Sequence, residues 1–269
     1  MSAELPPVLL VGAGRMGGAL FSGWVARGLA PSALVDPAAS PGIARDCDIL
    51  VGAPAELPAR FAPAAAILAV KPQMADAVMS VLARALPGGC VVLSIMAGRR
   101  IAGISATLGG ERGVVRAMPN TPAAIGRGIS VACAGAGVSS AQRDLCDTLL
   151  AAVGDVAWVD DEALIDPVTA VSGSGPAYVF LLAELLEQAG VAEGLPADLA
   201  RKLARKTIAG AGALMDASPE DAAALRRAVT SPRGTTEAAL AVLMDAGAWP
   251  RAVGEAVRAA AARARELAS

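Results

Sequence analysis

The chain has 269 residues, of which 55% are hydrophobic and 18% are charged, and its formal net charge is −2. This composition supplies enough apolar residues for one large domain or two ordinary ones, and it argues against an intrinsically disordered chain. The weak negative charge argues against a surface for nucleic acid or anionic membranes, so no nucleic-acid partner is expected.

The first 160 residues alternate short apolar runs with helical patterns and turns. Short apolar runs that end in turn residues are typical of buried strands, and apolar spacings of three and four predict helices. The alternation predicts a Rossmann-type α/β fold, in which a doubly wound, mostly parallel sheet carries helices on its faces. The predicted strands are 8–11, 33–36, 49–51, 64–70, 91–95, 114–117 and 129–132, and the predicted helices are 18–27, 73–86, 101–108 and 139–152.

The pattern changes near residues 155–161, and no strand is predicted beyond residue 163. The remaining sequence is rich in alanine, which favours helices. We therefore predict a Rossmann-type domain over 1–160 and an all-α C-terminal domain over 161–269. The predicted helices of the second domain are 163–171, 176–189, 196–217, 219–230, 235–246 and 249–267.

The helix predicted at residue 176 has an unusual entry and an unusual composition. Residues 172–175 are small and polar, and Pro176 suits the first turn of a helix because no N–H is needed there. The free N–H groups of this helix start predict a site for a carboxylate or phosphate. Residues 178–186 are apolar nearly all round, so we expect another helical layer or another subunit to cover the helix.

The sequence predicts a cytoplasmic protein. No apolar run approaches the roughly 18 to 20 residues of a membrane span, and the N-terminus lacks a basic segment followed by an apolar signal core. Cys47, Cys90, Cys133 and Cys146 stand far apart in the chain. This spacing is typical of buried thiols in a reducing compartment, so no disulfides are expected. Because no apolar run is long enough to span a membrane, no membrane partner is expected either.

Histidine is absent from the sequence. Its absence excludes histidine-based triads, histidine metal ligands and histidine acid–base catalysis. The cysteines lack the spacing of a zinc site, so no metal is expected. Any chemistry must therefore use a cofactor, carboxylates, hydroxyl groups, three lysines, one tyrosine or backbone groups.

A glycine-rich motif, GAGRMG at 12–17, follows the first predicted strand and opens the first predicted helix. Gly12 permits a tight turn, Gly14 lets the backbone approach a pyrophosphate, and Gly17 lets the helix pack closely. The pyrophosphate would lie at the helix N-terminus. In this context the motif predicts a dinucleotide site, whereas the motif alone is also compatible with a packing turn.

Asp36 ends the second predicted strand, 19 residues beyond Gly17. An acidic residue at this place usually binds the ribose hydroxyls of NAD. The alternative is a residue that only caps the strand end before Pro37.

Further polar residues follow the later strands. Lys71 lies in the AVKP segment at 69–72 and could bind a cofactor phosphate, a ribose or a substrate carboxylate, although a solvated lysine is the alternative. The segment 94–98 contains small residues that leave room for a nicotinamide. Residues 116–122 form a loop stiffened by two prolines, with Asn120 and Thr121 as hydrogen-bonding groups near the crevice.

Two acidic or hydroxyl-rich segments belong to the helical half. Glu162 is either a helix-start acid that favours the dipole or a carboxylate that faces a cationic substrate nitrogen. Residues 230–236 join two predicted helices, and their hydroxyl and N–H groups suit a carboxylate. A simple N-capping turn is the alternative for that loop.

Taken together, these segments resemble pyrroline-5-carboxylate reductase. They occur in the order of that family and extend over nearly the whole chain, and the later segments are more specific than the glycine motif. The matching segments are GAGRMGGAL at 12–20, AVKP at 69–72, RAMPNTPA at 116–123, VSGSGPAYVF at 171–180 and AVTSPRGTT at 228–236.

The resemblance implies reduction of (S)-1-pyrroline-5-carboxylate to L-proline with NAD(P)H, the last step of proline biosynthesis. It implies an N-terminal Rossmann domain and a helical domain that forms a homodimer, often with further assembly of dimers. NADPH is the implied cofactor because most of the family prefers it, and Asp36 makes NADH possible. The residues implied or predicted to bind the cofactor are Gly12, Ala13, Gly14, Arg15, Met16, Gly17, Asp36, Ala69, Val70, Lys71, Pro72, Ala97 and Gly98.

The resemblance also implies substrate residues. The loop that holds the substrate carboxylate matches Ser231, Gly234, Thr235 and Thr236, and the glutamate near the ring nitrogen matches Glu162. Thr236 and Glu162 are therefore the catalytic candidates: Thr236 supplies a proton or hydrogen bond to a neutral imine, and Glu162 stabilises an iminium.

Arg233 and Asp36 depart from the family pattern. Arg233 replaces the first glycine of a Gly-Gly pair, so it either strains a turn that needs positive φ or adds a positive charge near the carboxylate. Asp36 stands where many relatives have residues that suit a 2′-phosphate.

Two other functions fit parts of the sequence. A β-hydroxyacid dehydrogenase shares the domain order but relies on a catalytic lysine, and Lys202 and Lys206 fit an exposed helix face better. A dinucleotide-sensing module would bind cofactor without turnover, but it has no need of the polar loops at 172–175 and 231–236.

Overall fold

An eight-stranded sheet forms the centre of the computed structural model, which describes residues 5–110 and 112–268. The strands are β1 (Val8–Val11), β2 (Ala33–Val35), β3 (Ile49–Val51), β4 (Ala65–Leu68), β5 (Val91–Ser94), β6 (Val114–Met118), β7 (Gly128–Ala134) and β8 (Gly154–Val159). Their order in the sheet is β3-β2-β1-β4-β5-β6-β7-β8, and every neighbouring pair is parallel except β6 and β7. The predicted Rossmann-type, mostly parallel sheet is confirmed.

The described helices cover both faces of the sheet and make up most of the C-terminal region. They are α1 (Arg15–Val25), α2 (Pro41–Arg45), α3 (Ala75–Ala85), α4 (Ile101–Thr107), α5 (Ser140–Leu150), α6 (Ile165–Val168), α7 (Gly175–Ala192), α8 (Ala197–Ala217), α9 (Ala222–Ala228), α10 (Thr235–Leu243) and α11 (Trp249–Leu267). The start predicted at Ser139 is correct, because its side chain accepts a hydrogen bond from Gln142 N–H in a capping box.

Two apolar layers fix the sheet between its helices. Alternate residues of β1, β4 and β5 face opposite sides, so one core packs against α1 and α5 and the other against α3 and α4. Trp24 of α1 is completely buried, and its indole N–H donates to Leu149 O at 2.8 Å. The central strands are buried on both faces, which explains their nearly continuous apolar sequences.

Two elements were missed in the sequence, β8 and α2. β8 lies at the sheet edge and its residues alternate between half-buried and exposed, so it has no continuous apolar run. α2 has only five residues, which is too short to show a helical period. Both omissions leave the predicted fold class unchanged.

The helix predicted at 163–171 is wrong in its details. A 3-10 turn at Glu162–Leu164, α6 and a π turn at Thr169–Gly173 follow one another and lead into α7. Pro176 does lie in the first turn of α7, as predicted. The expected open helix start is not observed, because the residues before α7 are themselves helical.

The continuous helical stretch 162–192 also corrects the expectation about membrane spans. It has 31 residues with a window mean hydropathy of 1.3, so its length and composition alone would allow it to cross a membrane. Only 6% of that window is buried. The large apolar side chains of α7 are thus mostly exposed rather than covered, and Phe180 is 68% exposed.

The chain forms two compact units. The first contains the described residues up to Gly173 together with residues 260–268, and the second contains residues 174–259. In the second unit α7 packs against α8. The division into functional domains at residue 160 stays a prediction.

Candidate active site

The glycine-rich loop begins directly at the end of β1. Gly12 has φ +95°, and a Cβ there would lie 2.8 Å from Ala69 O. A Cβ on Gly17 would collide with the carbonyl oxygen of Gly12. Only glycine fits at these two positions, one because of the turn and the other because α1 packs against the loop.

Gly14 differs from its neighbours, because nothing lies within 4 Å of where its Cβ would be. It is the N-cap of α1, no side chain caps that helix, and its first turn has no acidic residue. The uncapped N–H groups and the open space above Gly14 fit a pyrophosphate. A groove of about 630 Å³ shares Ala13–Arg15 with this loop and continues along α1.

Asp36 lies beside the glycine loop. Its Oδ2 accepts a hydrogen bond from Ala13 N–H at 2.6 Å, and its Oδ1 accepts one from Ala38 N–H at 2.8 Å. The carboxylate therefore fixes the loop as well as ending β2. The role of Asp36 in binding a ribose stays a prediction.

The turns that follow β4 and β5 lie at the same level as the glycine loop. Val11 pairs with Leu68, and Leu68 pairs with Ser94, so the three strands end together. Carboxyl ends of parallel strands form the ligand-binding edge of such sheets. The structure thus brings together Gly12–Gly17, Ala69–Pro72 and Ala97–Gly98, which the sequence had assigned to one site.

Arg99 connects two of these turns, although it was not singled out in the sequence. Its Nη2 donates to Pro72 O at 3.1 Å and forms an ion pair with Asp76 at 2.7 Å. Lys71 is exposed, in agreement with either of its two interpretations.

Gly98 has φ +71°, and a Cβ there would lie 2.5 Å from Leu267 O. The space expected for a nicotinamide is thus bounded by the last turn of α11 on the side where the glycine lacks its side chain. Arg100 adds a second contact, because its Nε donates to Ala268 O at 3.3 Å.

Glu162 belongs to a charged cluster at the edge of the first unit. Its Oε1 accepts hydrogen bonds from Ile101 N–H at 2.8 Å and from Arg116 Nη1 at 3.0 Å. Arg116 is 1% exposed, and its Nη2 lies 3.5 Å from Asp166 Oδ1. Asp166 is also 3.6 Å from Arg100 Nη2, so two arginines and two carboxylates neutralise one another.

The sequence predicted Glu162 but missed its partners. Arg116 looked like one residue of a strand, and nothing in the apolar pattern of β6 marks it as a buried cation. The signal was its charge within an otherwise apolar strand, since a buried charge requires a partner. The Oε2 atom of Glu162 accepts no hydrogen bond from the described part of the chain, and its side chain is 22% exposed.

The stiff loop after β6 holds the entry to α7. Asn120 Nδ2 donates to Ser172 Oγ at 3.2 Å, and Asn120 Oδ1 accepts from Ile129 N–H at 3.0 Å. The amide therefore has a structural role, because it links the start of β7 to Ser172.

The loop at 231–236 lies in the second unit and precedes α10. Ser231 and Thr235 are exposed, and Gly234 is the N-cap, so no side chain caps this helix start. Arg233 has φ +59° and is the one non-glycine residue with positive φ in the part of the chain described by the structure. Its N–H donates to Glu237 Oε2 at 2.6 Å, which holds this left-handed turn.

The cysteine thiols and the acidic residues show no sign of a metal centre. No group of three or more metal-ligating side chains was found among residues 5–110 and 112–268. Burial raises the pKa of the Cys90 and Cys146 thiols to about 12, so neither is a nucleophile at neutral pH.

Comparison with protein families gives two matches. The family model described as pyrroline-5-carboxylate reductase dimerisation matches residues 162–267. The model described as NADP oxidoreductase coenzyme F420-dependent matches residues 7–98. The first match covers the helical region, and the second includes the turns at 12–17, 69–72 and 97–98.

Individual proteins resemble the whole chain. A pyrroline-5-carboxylate reductase of Pseudomonas aeruginosa is 42% identical over 98% of this chain and 97% of its own. One from Mycobacterium tuberculosis is 37% identical over 97% and 96%. A solved pyrroline-5-carboxylate reductase from Coxiella burnetii has a TM-score of 0.90 at 30% identity, covering 98% of this chain and 99% of its own. That of Plasmodium falciparum, solved with NADP bound, has a TM-score of 0.85 at 28% identity and covers 99% of both chains.

Proposed function

This chain belongs to the pyrroline-5-carboxylate reductase family, and from that membership we propose how its residues divide the reaction between them. The chain is an oxidoreductase that uses a nicotinamide cofactor to reduce (S)-1-pyrroline-5-carboxylate to L-proline, the last step of proline biosynthesis. The observation that carries the assignment of roles is the level alignment of β1, β4 and β5, which places the three predicted cofactor turns at one edge.

The glycine loop holds the pyrophosphate of the cofactor in this proposal. The open space at Gly14 and the uncapped N–H groups of α1 supply room and hydrogen-bond donors. Residues 69–72 and 97–98 bind the part of the cofactor that lies beyond the pyrophosphate. When bound, the reduced nicotinamide supplies the hydride, and the turns orient it.

Asp36 decides between the two nicotinamide cofactors in this proposal. Its carboxylate beside the loop repels a 2′-phosphate, and two like charges about 4 Å apart cost about 1 kcal/mol in water and more at a partly buried site. We therefore infer that NADH is bound at least as well as NADPH, although NADPH is the usual cofactor of the family. A relative was solved with NADP bound, which supports a nicotinamide cofactor but does not decide between NADH and NADPH.

The 231–236 loop binds the substrate carboxylate. The exposed hydroxyl groups of Ser231 and Thr235 and the uncapped start of α10 support this role. Arg233 adds a positive charge at the same loop, which favours an anionic substrate.

Glu162 and Thr236 are the two candidates that act on the ring nitrogen. Glu162 keeps Oε1 for Arg116 and the start of α4, and its Oε2 is available for a cationic nitrogen. Thr236 donates a hydrogen bond or a proton when the imine is neutral. Replacing Thr236 by Val should therefore lower the rate more strongly as pH rises, and a constant ratio of rates across pH would remove Thr236 from this role.

A second copy of the chain covers α7. The exposed apolar residues of α7 and the match of residues 162–267 to a dimerisation family support a homodimer. Further assembly of dimers and a cytoplasmic location stay predictions.

The decisive experiment measures consumption of NADH and of NADPH with pyrroline-5-carboxylate in parallel. We expect turnover with both and an equal or higher kcat/KM with NADH. Turnover with 3-hydroxyacids instead would favour a β-hydroxyacid dehydrogenase, and cofactor binding without turnover would favour a sensing module.

A further inference from the structure

We infer that Leu267, the last residue of α11, and Ala268, which follows it, position the turn at 97–100 for the nicotinamide half of the cofactor. The inference rests on the proposed function, because it takes Ala97–Gly98 as part of the cofactor site. Neither the glycine motif nor the substrate loop is involved.

The first observation is the close approach of two backbones. Gly98 has φ +71°, and a Cβ at this position would lie 2.5 Å from Leu267 O and 2.9 Å from Leu267 Cβ. Real Cβ atoms do not approach so closely, so the turn fits under α11 only because residue 98 is glycine. The backbone of α11, rather than a flexible side-chain end, bounds this side of the turn.

The second observation is a pair of arginines that hold the turn from both sides. Arg100 Nε donates to Ala268 O at 3.3 Å. Arg99 Nη2 donates to Pro72 O at 3.1 Å, which ties the turn to the other predicted cofactor turn. Removal of residues 267 and 268 takes away the contacts of the turn with the end of α11, while the ion pairs of Arg99 with Asp76 and of Arg100 with Asp166 remain.

A third observation shows that the side chain of Leu267 contributes little. Leu267 is 51% exposed. Its carbonyl oxygen and Cβ make the contact, and alanine retains both atoms. A chain that ends before residue 267 therefore loses both the backbone contact and the exposed side chain, whereas Leu267→Ala loses only the side chain and keeps the backbone contact.

The expected effect follows from population of the competent turn. Without the contacts of Leu267 and Ala268, the turn adopts other conformations part of the time, and the apparent affinity falls in proportion to the competent fraction. Arg100 is partly exposed and its hydrogen bond is long, so its loss shifts this conformational equilibrium by about fivefold, which sets the largest loss of affinity. The nicotinamide half should lose this factor, whereas the adenosine half, which lies at the glycine loop, should not.

The test compares binding of NADH and of ADP-ribose, which lacks the nicotinamide, by calorimetry. The proteins are the full chain, a chain that ends at residue 266, and the Leu267→Ala variant. We expect the shortened chain to bind NADH more weakly, by up to about fivefold, and to bind ADP-ribose unchanged, and we expect Leu267→Ala to match the full chain. Thermal unfolding of each protein without ligand identifies any general loss of fold.

The outcomes separate the inference from the proposed function. Equal NADH affinity of the shortened and full chains overturns the inference and leaves the cofactor site intact. Equal weakening of NADH and ADP-ribose also overturns it, because the turn would then act on the whole site. Failure of the full chain to bind ADP-ribose refutes the proposed cofactor site itself.

A second measurement covers the case in which the shortened chain folds poorly. Gly98→Ala is introduced into the full chain and into Leu267→Ala, with thermal unfolding as the readout. Both should lose stability to the same extent, because the carbonyl oxygen of residue 267 is retained in each. Gly98→Ala without any loss would show that α11 does not bound the turn and would overturn the inference.

Discussion

A single methyl group placed at Gly14 or at Gly17 should have opposite consequences. Both residues lie in the glycine loop, and each replacement by Ala adds the same atom. At Gly17 that atom would collide with the carbonyl oxygen of Gly12, whereas at Gly14 nothing lies within 4 Å. Gly14 has φ −61° and ψ −170°, which alanine adopts without strain. The structure therefore predicts a defect of folding at one position and a defect of binding at the other.

The magnitudes follow from what each methyl group meets. A backbone oxygen cannot rotate away, so Gly17→Ala should cost about 3 kcal/mol, the upper end for overpacked sites. For a unit of this size that lowers Tm by roughly 6 to 12 °C. Gly14→Ala should keep Tm but displace the pyrophosphate from one N–H donor, and a hydrogen bond to a charged group is worth about 1.5 to 3 kcal/mol. Affinity should then fall about ten- to a hundredfold.

The assay is thermal unfolding without ligand, followed by calorimetric titration with ADP-ribose and NADH at one salt concentration. Each variant is the control for the other, since they differ only in the position of the methyl group. If Gly17→Ala keeps the Tm of the unmodified chain, the packing argument is wrong. If Gly14→Ala binds ADP-ribose as well as the unmodified chain does, the pyrophosphate does not pass over Gly14.

Three further predictions concern charge. Asp36→Ser should raise the ratio of kcat/KM for NADPH over NADH about tenfold, because about 1.4 kcal/mol of phosphate repulsion is removed; equal losses with both cofactors would mean that Asp36 only holds the loop. Arg116→Met should lower the free energy of unfolding by about 3 to 5 kcal/mol, since two carboxylates lose a buried partner. Arg116→Lys should retain part of this stability, and an unchanged denaturant midpoint for Arg116→Met would contradict the prediction. Burial raises the pKa values of Cys90 and Cys146 to about 12, so only about 0.01% of each thiol should be thiolate at pH 8. Both thiols should therefore resist thiol reagents until the chain is unfolded, and rapid labelling of the native protein would refute their burial.

Arg233 shows how a residue that departs from its family can be accommodated. Its φ of +59° is the left-handed conformation that glycine adopts easily and that costs other residues about 1 to 2 kcal/mol. The hydrogen bond from its N–H to Glu237 holds this conformation. The sequence left open whether an arginine could adopt the positive φ of this turn, and the structure shows that Arg233 does adopt it.

The sequence by itself determined the fold class and the place of the cofactor turns. Central parallel strands are buried on both faces, so β1, β4 and β5 appear as continuous apolar runs whose ends mark the binding edge. The tight turn at Gly12 and the close packing at Gly17 follow from backbone geometry that only glycine permits. Local sequence also placed α7 correctly, because Pro176 favours a helix start there.

Tertiary structure alone decided the contacts between residues distant in the chain. The edge strand β8 lacks an apolar run because only one of its neighbours is a strand. The pairing of Arg116 with Glu162 and Asp166 joins residues 46 or more positions apart, and no local pattern specifies which carboxylates neutralise a buried cation. The missing side chain of Gly98 accommodates the backbone of Leu267, a neighbour that only folding brings near.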